Sequence, residues 1–213
     1  MTNRTLYERL QHEWQELVAT PLPERLTSVE WLLQRPRAMA PSPAVLFAEL
    51  EDVHQEWNQF RPSTQINQYF DRFITAAWTL KDLLGHLGSW LAETRREAEA
   101  VSRGEGFDYI IPYALSVVGP NRWNQVEVEK RRPLPLGALH EEAKSEIARL
   151  QKLVLTTPEE VLVRISPLPL SPTGEPTALW KGSISQLVLG QCMHQHLHLS
   201  RIERWLSTQS PAG

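Results

Sequence analysis

Cysteine is almost absent from this chain of 213 residues, in which Cys192 stands alone. A single cysteine excludes an internal disulfide, and a small buried residue is its simplest interpretation. The first residues, MTNRTLYERLQHEW, lack the apolar core of a signal peptide. We therefore expect a protein of a reducing compartment, the cytoplasm.

Long apolar runs and clusters of positive charge are missing as well. No apolar stretch approaches the roughly 20 residues of a membrane-spanning helix, so we expect no membrane insertion. The net charge is -3 and no block of lysine or arginine stands out, whereas non-specific nucleic-acid binding needs a basic surface. The chain also has no Walker loop, GxGxxG, GxSxG or CxxC, so the chemistries that depend on those motifs have no support.

What the sequence has in quantity is helical periodicity, and its 16 prolines cluster outside the periodic stretches. Thr79 followed by Asp82 has the spacing of a capping box, and Ser183 can cap the last helix. The predicted long helices span residues 43–60, 78–101, 136–154 and 183–206, with a shorter helix at 121–132 and a short strand at 161–165. We predict an all-α fold: an antiparallel four-helix bundle over residues 41–210, with residues 1–40 as an additional helical segment packed on it.

The last predicted helix carries HQHLH, which holds three of the seven histidines. His194 and His198 are four residues apart and share one helix face, the spacing by which a helix offers two imidazoles to one metal ion. His196 points the other way, and His86 in the second long helix can supply a third ligand if the two helices pack together. The competing interpretation is that this HxxxH binds nothing, as most do, and that His86 is a core histidine with one hydrogen bond. We expect the remaining histidines to lie at the surface or its boundary, His54 being a weak fourth candidate: His12, His54 and His140.

Three stretches carry a resemblance to a known family. WTLKDLLGHLGSW, at 78–90, resembles the helix that opens the core of the DinB/YfiT-like superfamily, and the last helix, with its HxxxH followed by IERWL, resembles the metal helix of that family. NRWNQVEVEKRRPLPLGALHEEAKSEIARL resembles the subgroup of the colibactin self-resistance protein and the mycothiol-dependent maleylpyruvate isomerases. The likeness covers roughly residues 43–206. It departs at GQCMHQH, where relatives of the resistance protein often have an aromatic residue and an acid.

The resemblance implies an up-down-down-up four-helix bundle with a metal at one end, bound by His86, His194 and His198. Three imidazoles leave a metal position open, as in catalytic sites, and zinc and nickel both suit them. We expect a thiol-dependent transferase or a hydrolase that acts on a small electrophile, with a low-molecular-weight thiol as a further cofactor and a homodimer as its assembly. The alternative is a non-catalytic helical protein, stress-associated or partner-binding, with a vestigial metal site. A DNA-protecting hydrolase, which is also related to this subgroup, would need a basic face, and the net charge of -3 gives this function little support.

Helix arithmetic places further residues near the predicted triad. Arg201 lies seven residues after His194 and can hold an anionic substrate group, although a solvated arginine at the helix end is at least as good an interpretation. Trp90 can floor a pocket for substrate or cofactor, with plain core packing as the alternative. Glu93 and Asp82 share the face of His86 and can accept an imidazole hydrogen bond or move a proton, unless they are solvated or capping acids.

Overall fold

The computed structural model describes residues 41–61, 63–75, 78–105, 119–164 and 183–209. Within these ranges the fold is all-α, as predicted. The predicted helical segment over residues 1–40 lies outside the described residues. The helices, in chain order, are α1 (Pro43–Gln59), α2 (Thr64–Asn67), α3 (Leu80–Ser102), α4 (Gly119–Arg131), α5 (Leu136–Thr156), α6 (Glu159–Leu162) and α7 (Ile184–Gln209).

Side-chain caps set where the helices of the site begin. The hydroxyl of Thr79 accepts a hydrogen bond from the backbone N–H of Asp82, whose carboxylate accepts one from the N–H of Thr79 in return, so α3 begins with the predicted capping box. Ser183 and Gln186 exchange the equivalent pair of bonds at the start of α7. The first residue of each of these helices is thereby fixed, and with it the direction in which every later side chain points.

The predicted strand at 161–165 is wrong for the residues that are described. Val161 and Leu162 instead close the short helix α6, which follows Pro158. Two acids, Glu159 and Glu160, occupy the first turn of this helix, where the helix dipole favours negative charge. The β-branched residues that suggested a strand are thus outweighed by a start signal for a helix.

The four long helices form a bundle in which α1 and α3 each pack against both α5 and α7. Contacts at two levels of three of these pairs give all four helix directions. They are Trp57–His140 and Glu51–Gln151 for α1 on α5, Gly88–Glu142 and Arg95–Glu146 for α3 on α5, and His86–His198 and Trp90–His194 for α3 on α7. Thus α1 and α7 run one way and α3 and α5 the other, which is an up-down-down-up bundle.

The bundle is held together by leucines at helical spacing. Leu83, Leu84, Leu87 and Leu91 of α3 are essentially fully buried and belong to one apolar cluster with residues of α1, α5 and α7. Burying each such side chain contributes roughly 1.5–3 kcal/mol. The cluster therefore presses α3 and α7 together along the length that carries the histidines. None of the helices in the described ranges is long and apolar enough to cross a membrane.

Candidate metal centre

His86 of α3 meets His194 and His198 of α7 where the two helices face each other. The Nε2 atoms of His86 and His194 lie 3.2 Å apart. The ring centroids are separated by 5.1 Å between His86 and His194, 5.5 Å between His86 and His198, and 4.7 Å between His194 and His198. Each ring offers one nitrogen, and the three nitrogens all lie within 4.8 Å of one another. The structure thus brings together the three residues that helix spacing and the resemblance single out.

Burial keeps all three imidazoles uncharged at neutral pH. It lowers the pKa of His86 to about 3, with His198 adding to the effect. It also lowers the pKa of His198 to about 4, aided by the positive charge of Arg201. The pKa of His194 falls well below its usual 6.5 through burial and the repulsion of the two neighbouring rings. Neutral imidazole is the form that coordinates a metal, so no proton has to be displaced at neutral pH.

The donor set also fits a divalent metal in its spacing. In a tetrahedral site with metal–nitrogen bonds of about 2.0–2.1 Å, two ligand nitrogens lie about 3.3 Å apart, close to the 3.2 Å between His86 and His194. The Nδ1 atoms of His86 and His198 are buried and have no hydrogen-bond partner among the described residues. For His86 the nitrogen that faces His194 is Nε2, so its unpartnered Nδ1 is not the atom that would bind the metal. Zinc and nickel both match three imidazoles.

Tryptophans form a wall beside the three histidines. The ring of Trp90 lies 5.9 Å from that of His194 and packs edge-on against Trp123 at 4.7 Å, while its Nε1 donates to Asn124 of α4 at 2.9 Å. Trp78 lies 4.8 Å from the ring of His86. Residue spacing along the helix pointed to Trp90. It missed Trp78, which precedes α3, and it missed Trp123 and Asn124 of α4. The chain has eight tryptophans, many for its length, and only this number hinted at these neighbours.

Arg201 and the acids on α3 occupy different surroundings. Arg201 is exposed, and its positive charge lies near enough to His198 to lower the pKa of that imidazole. Glu93 is not joined to the imidazoles, because both of its oxygens accept hydrogen bonds from Arg96. Asp82 is likewise occupied, by the cap and by Arg132. Neither carboxylate therefore orients a triad imidazole in this structure.

Two other histidines are buried and have structural partners. His196 turns away from the triad, as predicted. Its Nδ1 lies 2.7 Å from Glu56 Oε1 and its Nε2 lies 3.6 Å from Glu49 Oε2. The prediction that His140 lies at the surface or its boundary is wrong, because this residue is 2% exposed and its Nε2 lies 3.1 Å from the carbonyl oxygen of Trp57. Its position opposite the last turn of α1 depends on helix packing, which local sequence does not encode.

Cys192 is buried in the bundle, as predicted. Burial raises the pKa of its thiol, and the nearby carboxylates of Glu49, Glu56 and Asp52 raise it further. A thiol in such surroundings stays protonated and is a poor nucleophile. Cys192 therefore has a packing role, and the chemistry of the site rests on the histidines.

Comparison of the chain with models of known families, with curated proteins and with solved structures finds no match. The resemblance to the DinB/YfiT-like superfamily accordingly stays a prediction. It rests on the quoted motifs.

Proposed function

We propose that this protein is a metal-dependent enzyme of the DinB-like type, a thiol-dependent transferase or a hydrolase that acts on a small electrophile. The observation that carries the proposal is the convergence of three neutral imidazoles, from residues far apart in the chain, on one point. The up-down-down-up order of the helices supports it, because this is the order that the resemblance implies.

The three histidines would hold zinc or nickel and leave at least one position open. A divalent metal in such a site supplies Lewis acidity, which makes hydroxide or thiolate available near neutral pH. The protein itself contributes a setting of low polarity, since burial alone is enough to lower the pKa of these rings. In such a setting the electrostatic interactions of a bound reactant are stronger than in water.

The tryptophan wall supplies a surface for the apolar part of a substrate or of a low-molecular-weight thiol. Trp90 is held in place by its hydrogen bond to Asn124 and by the ring of Trp123, so its face is fixed relative to His194. Arg201 lies near enough to His198 to lower its pKa, and it offers a positive charge to an anionic group. The site would thus favour a substrate that has an apolar part for the tryptophans and an anionic group for Arg201.

The proposal is tested by elemental analysis of the protein purified without a histidine tag. We expect about one zinc or nickel per chain in the wild type and almost none in His86→Ala, because two imidazoles hold a metal weakly. His140→Ala is the matched control: it removes another buried histidine, one that bonds to a backbone carbonyl instead of the triad, and it should keep the metal. A wild type that takes up no metal even after reloading removes the proposal in favour of a non-catalytic helical protein.

Activity is tested next, with a panel of low-molecular-weight thiols and water as nucleophiles and small model electrophiles as substrates. Turnover that is present in the wild type and in His140→Ala but lost in His86→Ala would assign the reaction to this centre. Turnover that survives in His86→Ala would place the reaction elsewhere in the chain.

A further inference from the structure

Gln195 lies in the sequence between the triad residue His194 and the ion-paired His196, and its side chain is completely buried. Its Nε2 donates a hydrogen bond to the carbonyl oxygen of Leu87 at 3.1 Å. Its Oε1 accepts one from the indole Nε1 of Trp57 at 3.0 Å. One amide of α7 therefore bonds to both α1 and α3.

The position of these bonds relative to the histidines is the central observation. Leu87 directly follows His86 on α3, and Gln195 directly follows His194 on α7. The bond from Gln195 to Leu87 thus joins the two helices one residue away from each of the facing imidazoles. Because a helix rises about 1.5 Å per residue, sliding α7 by even one residue would break this bond and separate the rings.

The apolar contacts around the amide do not fix that offset by themselves. Leucine packing is favourable over a range of small shifts, because the hydrophobic effect has no direction. A hydrogen bond is satisfied only over a few tenths of an ångström, and a buried polar group that loses its partner is penalised. Buried amides set the register of coiled coils for the same reason. Ligands of a metal must be held within about 0.5 Å of their working positions.

We propose that Gln195 is a positioning residue of the metal centre, whose buried amide fixes the register of α7 on α3 at which His86, His194 and His198 meet. The inference rests on the proposed metal site. Gln195 does not touch the imidazole nitrogens in this account. It acts through the helix backbone of Leu87 and the indole of Trp57.

The test uses Co²⁺ as the probe, because its visible absorption reports the number and arrangement of its ligands. The full chain is titrated with Co²⁺ as wild type and as Gln195→Met, which keeps the volume of the side chain and removes both hydrogen bonds. We expect Gln195→Met to bind Co²⁺ at least about tenfold more weakly, the usual size of an effect from outside the ligand shell. Its absorption spectrum should also change, because the ligands no longer hold one fixed arrangement.

Two further variants separate positioning from stability. Gln186→Met is the matched control, since it removes a buried glutamine that caps the same helix far from the triad. It should lower the unfolding midpoint and leave the Co²⁺ affinity and spectrum unchanged. The double variant Trp57→Phe/Gln195→Met removes the indole donor that Gln195→Met alone would leave buried without an acceptor. It should still bind Co²⁺ weakly, because the hydrogen bond to Leu87 remains absent.

The outcomes are distinguishable. Wild-type affinity and spectrum in Gln195→Met overturn the inference and leave the metal site standing. Recovery of Co²⁺ affinity in the double variant also overturns it, because the bond from residue 195 to Leu87 is still absent there. If Gln195→Met does not fold, the double variant and Trp57→Phe alone, which breaks one of the two bonds, decide the question by the same readouts. A wild type that binds no Co²⁺ removes both the proposed function and this inference.

Discussion

The two sides of α7 use the same residue type in opposite ways. On the side that faces α3, burial keeps His194 and His198 neutral. On the side that faces α1, burial by itself would also lower the pKa of His196, but the carboxylates of Glu49 and Glu56 raise it to about 9. Among the described residues, no ion pair joins a carboxylate to the triad. The comparison teaches that neighbours, and not the HxHxH pattern, decide which imidazole can bind metal.

The largest effect is expected on the affinity for metal, when one of the three histidines of the triad is replaced. His198→Ala should lower the affinity for Zn²⁺ by more than about 100-fold, because loss of a ligand exceeds the 10–100-fold effect of outer-shell changes. His196→Gln, a change only two residues away on the same helix, should leave the affinity within about twofold of wild type, because His196 faces the acids of α1. Competition with a chromogenic chelator measures both. Equal losses in the two variants would mean that the sides of α7 are not distinct.

The next largest effect is on stability, and it is expected on the side of α7 that faces α1. His196→Gln should lower the free energy of unfolding by about 2–3 kcal/mol, because breaking a buried ion pair leaves a carboxylate without its counter-charge. This loss is smaller than the roughly 3–5 kcal/mol of a fully buried pair, because the side chain of Glu56 is 31% exposed. Urea denaturation measures the change.

A double-mutant cycle is the control for this prediction. Glu49→Gln removes the less exposed of the two carboxylates that face His196. When it is combined with His196→Gln, the loss in the free energy of unfolding should be smaller than the sum of the losses in the two single variants. Strictly additive losses would show that the imidazole and the acid are not coupled.

The smallest effect is expected at Asp82, an acid at the start of the helix that carries His86. Burial would raise its pKa, but the hydrogen bonds from Arg132 and Thr79 outweigh this and lower it. Asp82→Asn should cost about 0.5–1 kcal/mol at pH 7, since Arg132 is largely exposed. A lowered folded-state pKa contributes stability above the unfolded-state value of 3.8, and that contribution is lost as the pH falls through the folded-state pKa.

Urea midpoints at pH 7 and pH 3 check this sign. The stability gap between wild type and Asp82→Asn should be narrower at pH 3 than at pH 7. A gap that is as wide or wider at pH 3 would mean that the carboxylate has no favourable partner in the folded state.

Features of the site that depend on neighbouring residues could be predicted from the sequence, and features that depend on helix packing could not. The caps at Thr79 and Ser183 and the spacing of His194 and His198 are local, so the sequence states them directly. The meeting of His86 with this pair depends on which helices pack together. Helix spacing left that packing as a condition, and the family resemblance implied it.

Apart from Trp78, the partners that sequence reasoning missed lie on different helices. These contacts join residues that are 33 to 138 positions apart in the sequence. They are the contacts of Trp90 with Trp123 and Asn124, the bond of His140 to Trp57, and the two bonds of Gln195. No periodicity encodes such pairs. The VLVRI segment failed for a different reason, because Pro158 and the two acids after it start a helix turn where β-branched residues suggested a strand.

The central claim is that three imidazoles bind one metal, and X-ray absorption spectroscopy of the zinc-loaded protein tests it most directly. We expect three imidazole nitrogens at about 2.0–2.1 Å from the metal in the wild type. His86→Ala should hold almost no zinc, and any zinc that it retains at saturating concentration should have one imidazole fewer. A protein that stays free of zinc, or a zinc shell that is the same in His86→Ala as in the wild type, would contradict it.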